Sequence, residues 1–267
     1  MPIQPTSTSI FKDHYRTSLV VGPSGIGKTR SMATASAQRP AWVSATVAMP
    51  PPDAVPVRLT DIAVLGFDSG GGSCFPAAQV EIANYYDFSD VPYTSVVAEI
   101  VAVLKELQPK CVSGEIGHVF LDTVTALDHS LLLKHGAKEN NAKFRDILSD
   151  YGTVLGQWKL LKAHSTIFAQ PKAVWDASAD ATKQREIKGL PGAHAKISGD
   201  ALDRIRADVD FRFWVKRRKD VVAGKPVEKV VWLTNDREHD CKDRVYGNLP
   251  PEIDADFGAL FAWGGAK

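Results

Sequence analysis

The sequence predicts an α/β fold: a mostly parallel sheet flanked by helices, with antiparallel strands added near the C-terminus. Three observations predict it. A short apolar run, Leu19-Val20-Val21, leads into a glycine-rich stretch, and a helix-compatible stretch over residues 30–38 follows. Short runs suited to buried strands recur at residues 62–67, 118–123 and 165–170. Amphipathic helical periods over residues 93–107 and 141–163 separate them.

The remaining elements follow in chain order. Residues 1–16 read as a polar N-terminal arm and residues 17–252 as one domain. Residues 253–267 read as a tail helix, with its apolar part near residues 257–263. Residues 40–58 are rich in Pro and Ala, which predicts an extended excursion. Residues 68–73 read as a flexible turn at a strand's C-terminal edge, and residues 79–83 as a weaker strand. The stretch 172–206 has no clear apolar period and reads as a long loop with room for a short helix. Residues 209–215 and 227–234 read as the strands of a hairpin, with Lys216, Arg217, Arg218 and Lys219 between them.

Composition narrows the function. The chain has 267 residues, 44% of them hydrophobic, enough for a sizeable core. A net charge of +1 gives no global signature for nucleic acid, so any such binding needs a local patch. Cys74, Cys111 and Cys241 are far apart, with no C-x-x-C. They support neither a disulfide framework nor a zinc site and fit a reducing cytoplasm. No run of about 18 apolar residues is present, and the N-terminus has no signal-peptide apolar core. The expectation is a cytoplasmic protein with no membrane partner. No nucleophile–base pairing is legible around His118, His129 or His135, which read as structural or surface residues.

The chemistry is concentrated in the glycine stretch. Gly22-Pro23-Ser24-Gly25-Ile26-Gly27-Lys28-Thr29 is a full match to G-x-x-x-x-G-K-[ST], in the strand–loop–helix context this motif requires. The glycines let the loop wrap tightly, so that backbone N–H groups point inward at phosphate oxygens. The following helix turns its positive N-terminus to the same anion. The expected nucleotide-holding residues are these eight and Arg30. Lys28 is expected to reach the β- and γ-phosphates of ATP, and the Thr29 hydroxyl to hold Mg2+. Asp122 ends an apolar strand about 95 residues downstream, where a carboxylate supports the same metal ion.

With these residues in place, the chain resembles the RecA superfamily of P-loop ATPases. More narrowly, it resembles the phage-encoded RecA-like ATPases grouped with single-strand annealing and recombination proteins. The resemblance runs from about Ser18 to Pro251. It rests on GPSGIGKT, DSGGGS, VFLDT, the strand ending in Gln170, and CKDRVYGNLP. It implies a RecA-like core that binds ATP and Mg2+ between subunits of a homo-oligomer, a ring or a filament. It also implies that Gln170 is a polar sensor of the γ-phosphate. The loop after it, residues 172–196, would then hold single-stranded DNA, with Lys172, Lys183, Arg185 and Lys188 on phosphates. Trp175 is available there to stack on a base, although a lone loop Trp is more often a packing residue. Lys242 and Arg244 match a K-x-[KR] pair that reaches into the neighbour's nucleotide site. Side chains two apart in an extended segment point the same way, so both can meet one phosphate group.

One departure from the family pattern matters. Related phage ATPases resemble D-[TS]-E-G-G-S, where the Glu is the expected base for the attacking water. This chain has Gly70 at that place. Asp68 is the nearest carboxylate that could substitute, with Glu81 and Asp87 further off. Otherwise hydrolysis is slow, since a lost base costs about 10²–10⁴ in rate. The first expectation is therefore an ATP-dependent single-stranded DNA binder of phage-type recombination. A hexameric helicase or translocase motor is the second, and Gly70 argues against it. A nucleotide-locked DNA-binding scaffold is the third.

Overall fold

The computed structural model describes residues 15–46, 50–68, 74–136, 140–171, 199–222, 224–236 and 239–262. Among them, nine strands form one sheet. These are β1 (Thr17–Val21), β2 (Val57–Gly66), β3 (Val80–Asp87), β4 (His118–Asp122), β5 (His164–Ala169), β6 (Phe211–Val222), β7 (Lys225–Leu233), β8 (Lys242–Asp243) and β9 (Glu252–Asp254). The spatial order is β3-β2-β4-β5-β1-β6-β7-β9, with β8 also paired to β6. Strands β1 to β6 run parallel, while β7 and β8 are antiparallel to β6 and β9 is antiparallel to β7. The chain is thus α/β with a mostly parallel sheet, and its antiparallel strands sit at one side.

Alternation along the central strands divides the core into two layers. Leu19, Val21, Leu65, Val119, Leu121 and Ile167 face one layer. It is covered by α3 (Val96–Val112), α4 (Val124–Lys134), α5 (Asn140–Trp158) and α6 (Gly199–Asp208). Val20, Val64, Phe120, Phe168 and Phe213 face the other. That layer is covered by α1 (Lys28–Met32), a 3-10 turn (Ala33–Ala35), α2 (Cys74–Ala77) and α7 (Phe257–Ala262). Phe257, on α7, is fully buried against Phe120 and Trp232, with ring centroids 5.3 and 4.6 Å away. Every central strand is therefore apolar on both faces, as a doubly covered parallel sheet requires.

The structure corrects several expectations. The helix after the glycine loop is one turn and a 3-10 turn, not a helix over residues 30–38. Lys216 to Lys219 are not the hairpin turn: they pair within β6, opposite Val231 to Glu228 of β7, and the chain reverses near Gly224. The strand expected at residues 79–83 extends to Asp87. The helix expected to end at residue 107 continues past Pro109 to Val112. The α4 helix was not expected. Thr123 caps it, its hydroxyl accepting from the Ala126 N–H at 3.2 Å. No helix among the described residues is long and apolar enough to cross a membrane.

Candidate nucleotide site

Strands β1, β5, β4 and β2 end at one edge of the sheet, because Val21 pairs with Ala169, Phe168 with Asp122, and Asp122 with Gly66. The Gly22–Thr29 loop leaves β1 there. Its start is tied to the next strand, since the Gly22 N–H donates to Ala169 O at 3.1 Å. Gly25 and Gly27 take φ values of 72° and 109°, left-handed conformations that a glycine adopts without strain. Close packing demands glycine too. A Cβ on Gly22 would stand 2.9 Å from Val215 Cβ, and one on Gly27 would stand 2.8 Å from Val230 Cγ2.

Lys28 is 6% exposed and folds back on its own loop. Its Nζ donates to the carbonyls of Gly22 at 2.5 Å and Pro23 at 2.7 Å. The Thr29 hydroxyl donates to Asp122 Oδ2 at 2.8 Å. Asp68 completes the cluster through a hydrogen bond with the Thr123 side chain and the field of Lys28. Burial shifts all three ionisable groups towards neutrality. It lowers Lys28 to about 8 against the pull of Asp122 and Asp68. It raises Asp122 to about 6 against the Thr29 hydrogen bond and Lys28. It also raises Asp68. The result is one cation and two carboxylates in a partly dry niche beside a loop of backbone N–H groups.

Such a niche suits phosphate and a hard divalent cation. Among the described residues, no group of three or more His, Cys, Asp or Glu could hold a metal. Thr29 and Asp122 instead offer two adjoining oxygens. That fits Mg2+, which is often held by one or two side chains, phosphate oxygens and retained water.

The other expected residues divide into those near this edge and those away from it. Gln170 directly follows β5, and its backbone N–H donates to Thr125 Oγ1 at 2.9 Å, joining that strand end to α4. Arg30 is half-buried beside Cys74. Asp87 ends β3 opposite Gly66, two strands from Asp122. Glu81 lies near the entry of β3 and pairs with Arg58 at 3.2 Å, away from the loop. Lys242 and Arg244 are exposed on either side of half-buried Asp243, with Arg244 just past the end of β8. They lie at the start of β6, the opposite end of the parallel strands, where Arg244 Nη1 donates to Ala207 O at 2.9 Å. Gly70, Lys172, Trp175, Lys183, Arg185 and Lys188 lie outside the described residues.

Sequence reasoning missed Arg217 and Tyr85. Arg217 shares the face of Phe213 and Val215 and reaches over the loop's tip. Its Nη2 donates to Gly25 O at 2.5 Å and its Nε to Ile26 O at 3.3 Å. Glu228 holds the same guanidinium at 3.2 Å. The alternation of Phe211, Phe213 and Val215, carried two residues further, would have found it. Compared with known proteins, the chain matches no protein-family model, and no curated protein matches it.

Proposed function

We propose that the chain binds ATP with Mg2+ at the Gly22–Thr29 loop. We further propose that it uses this nucleotide as a RecA-like oligomer that binds single-stranded DNA in phage-type recombination or annealing. One observation carries the nucleotide reading: Thr29 and Asp122, 93 residues apart in the chain, meet at 2.8 Å beside Lys28. The DNA and oligomer parts are supported by the motif combination from GPSGIGKT to CKDRVYGNLP.

In this reading Lys28 exchanges the Gly22 and Pro23 carbonyls for the β- and γ-phosphates, where its charge is needed. Thr29 and Asp122 hold the Mg2+. Bound ATP supplies the γ-phosphoryl group for transfer to water. In this reading Asp68 is the carboxylate that would take a proton from that water, and its raised pKa suits the role.

The test is titration of the wild type and Lys28→Ala with a fluorescent ATP analogue and Mg2+, followed by titration with single-stranded DNA. A loss of roughly 10- to 100-fold in nucleotide affinity is expected, the worth of charge-assisted bonds to phosphate. Equal nucleotide affinity in a folded Lys28→Ala protein overturns the site. DNA affinity indifferent to ATP overturns the coupling.

A further inference from the structure

Tyr85 on β3 lies opposite Val64 of β2, and its ring meets Phe75 edge-on at 6.4 Å. Its hydroxyl lies over Gly66, such that a Cβ there would stand 2.2 Å from the phenol oxygen. Gly66 is in turn the register partner of Asp122. Paired positions on neighbouring strands share a face and lie about 5 Å apart. The side chain that Gly66 lacks therefore leaves the place beside Asp122 to the Tyr85 hydroxyl. Burial and the carboxylates of Asp122, Asp87 and Asp68 push this phenol up to about 12, which keeps it neutral. No described residue hydrogen-bonds it. A phenol hydroxyl both accepts and donates hydrogen bonds.

We propose that Tyr85 is a positioning residue of the nucleotide site, its hydroxyl accepting a hydrogen bond from a water of the Mg2+ shell at Thr29 and Asp122. This rests on the nucleotide reading above. Mg2+ held by few side chains keeps several waters, and the metal makes those waters strong donors. Tyr85 fixes one of them on the side of the site away from the loop. Gly66 is glycine because any side chain there would expel the hydroxyl.

The experiment measures ATP affinity with Mg2+ and with EDTA for the wild type, Tyr85→Phe, Gly66→Ala and Lys28→Ala. Tyr85→Phe keeps the ring and removes the hydroxyl. It is expected to cut the tightening that Mg2+ gives by roughly 3- to 10-fold, one hydrogen bond's worth, and to leave the EDTA affinity unchanged. Gly66→Ala is expected to do the same with the tyrosine still present, since a cavity of about 420 Å3 walled by Tyr85 and Phe75 gives the ring room to move. Should Gly66→Ala fail to fold, Tyr85→Phe decides alone. An unchanged Mg2+ effect in Tyr85→Phe, with Lys28→Ala impaired, overturns the role of Tyr85 and leaves the nucleotide site standing. Equal losses with Mg2+ and with EDTA also overturn it, since they mark a purely structural side chain. A wild type that binds no ATP, or binds it no better than Lys28→Ala, overturns the nucleotide reading itself.

Discussion

The Thr29 hydroxyl donates a hydrogen bond to buried Asp122 Oδ2 at 2.8 Å. The arrangement costs stability. Asp122 is 3% exposed, and burial raises its carboxyl from 3.8 to about 6. A carboxyl raised on folding favours the folded state at low pH, and that stability is lost as pH rises from 3.8 through 6. At neutral pH the full cost is present. Asp122→Asn keeps an acceptor for Thr29 and removes the charge. It is expected to stabilise the nucleotide-free protein by up to roughly 3 kcal/mol while weakening ATP binding only when Mg2+ is present. Thermal midpoints and titrations with and without Mg2+ check both halves. A less stable Asp122→Asn protein would show that the carboxylate is held by more than Thr29 and Lys28.

The two left-handed glycines of the loop separate backbone strain from steric conflict. Gly25 has φ 72° with nothing within 4 Å of a Cβ, whereas at Gly27, with φ 109°, a Cβ would press on Val230. Gly25→Ala meets only the conformational penalty, about 1–2 kcal/mol. Gly27→Ala adds a clash at 2.8 Å, so it is expected to lose more nucleotide affinity. Val230→Ala in the Gly27→Ala background removes the clash but not the strain, and partial recovery is expected. Equal losses at Gly25 and Gly27 in a nucleotide titration would mean that packing on Val230 is irrelevant.

How legible the site was follows from the same geometry. Lys28, Thr29 and Asp122 were readable because one motif and one strand-ending Asp carry them. Asp68 was readable as the nearest carboxylate. Tyr85 was not, because a bulge between Leu59 and Ala63 of β2 shifts the pairing, so that Tyr85 shares the face of Val64. Arg217 was hidden by composition. Four consecutive basic residues look like a solvated turn, yet they lie in a strand, with Lys216, Arg217 and Arg218 ion-paired to Glu228 and Glu252. The α4 helix was obscured because its Leu131-Leu132-Leu133 run blurs the polar face that would mark a helical period. The parallel core was readable throughout, since strands buried on both faces leave continuous apolar runs.

Two histidines at the opposite edge of the sheet set an acid limit on stability. His118 is fully buried, stacks on Phe120 at 4.1 Å and bonds Thr166 Oγ1 through Nε2 at 2.9 Å. His164 stacks on Phe261 at 4.0 Å, and its Nδ1 accepts from the Arg16 N–H at 3.0 Å. Burial lowers both, His164 to about 4. A histidine lowered on folding contributes stability above 6.5, which is lost as pH falls from 6.5 through 4. For His164 the loss reaches roughly 3 kcal/mol. Asp122 works in the opposite direction over part of this range, so variants must be compared at each pH. His164→Phe keeps the ring stack and is expected to unfold less steeply with acid, although it starts lower for want of the Arg16 acceptor. Parallel wild-type and variant curves of thermal midpoint between pH 6.5 and 4 would remove His164 as the cause.

The position of Arg244 gives the proposed oligomer its sharpest test. Its backbone N–H bonds Asp210 O at 3.1 Å, at the start of β6. Ser18 pairs with Phe211 and the Asp210 N–H donates to Thr17 O, so this point is level with Thr17, five residues before Gly22 on the neighbouring strand. At about 3.3 Å per residue, that is roughly 17 Å along the sheet from the loop. Arg244 and Lys242 therefore stand away from their own chain's loop, and in the proposed oligomer the nucleotide phosphate they would meet is a neighbour's. Arg244→Ala is expected to lower ATP hydrolysis with little change in ATP affinity, because such a group stabilises charge that develops in the transition state. Its loss also frees the Ala207 carbonyl at an exposed edge, a minor cost to the fold. Mixing Arg244→Ala with Lys28→Ala subunits restores interfaces that pair an intact loop with an intact arginine. Hydrolysis in the mixture should exceed that of either variant alone. If mixed oligomers form and no ratio recovers activity, Arg244 does not act across the interface, and its contact with Ala207 is its whole role.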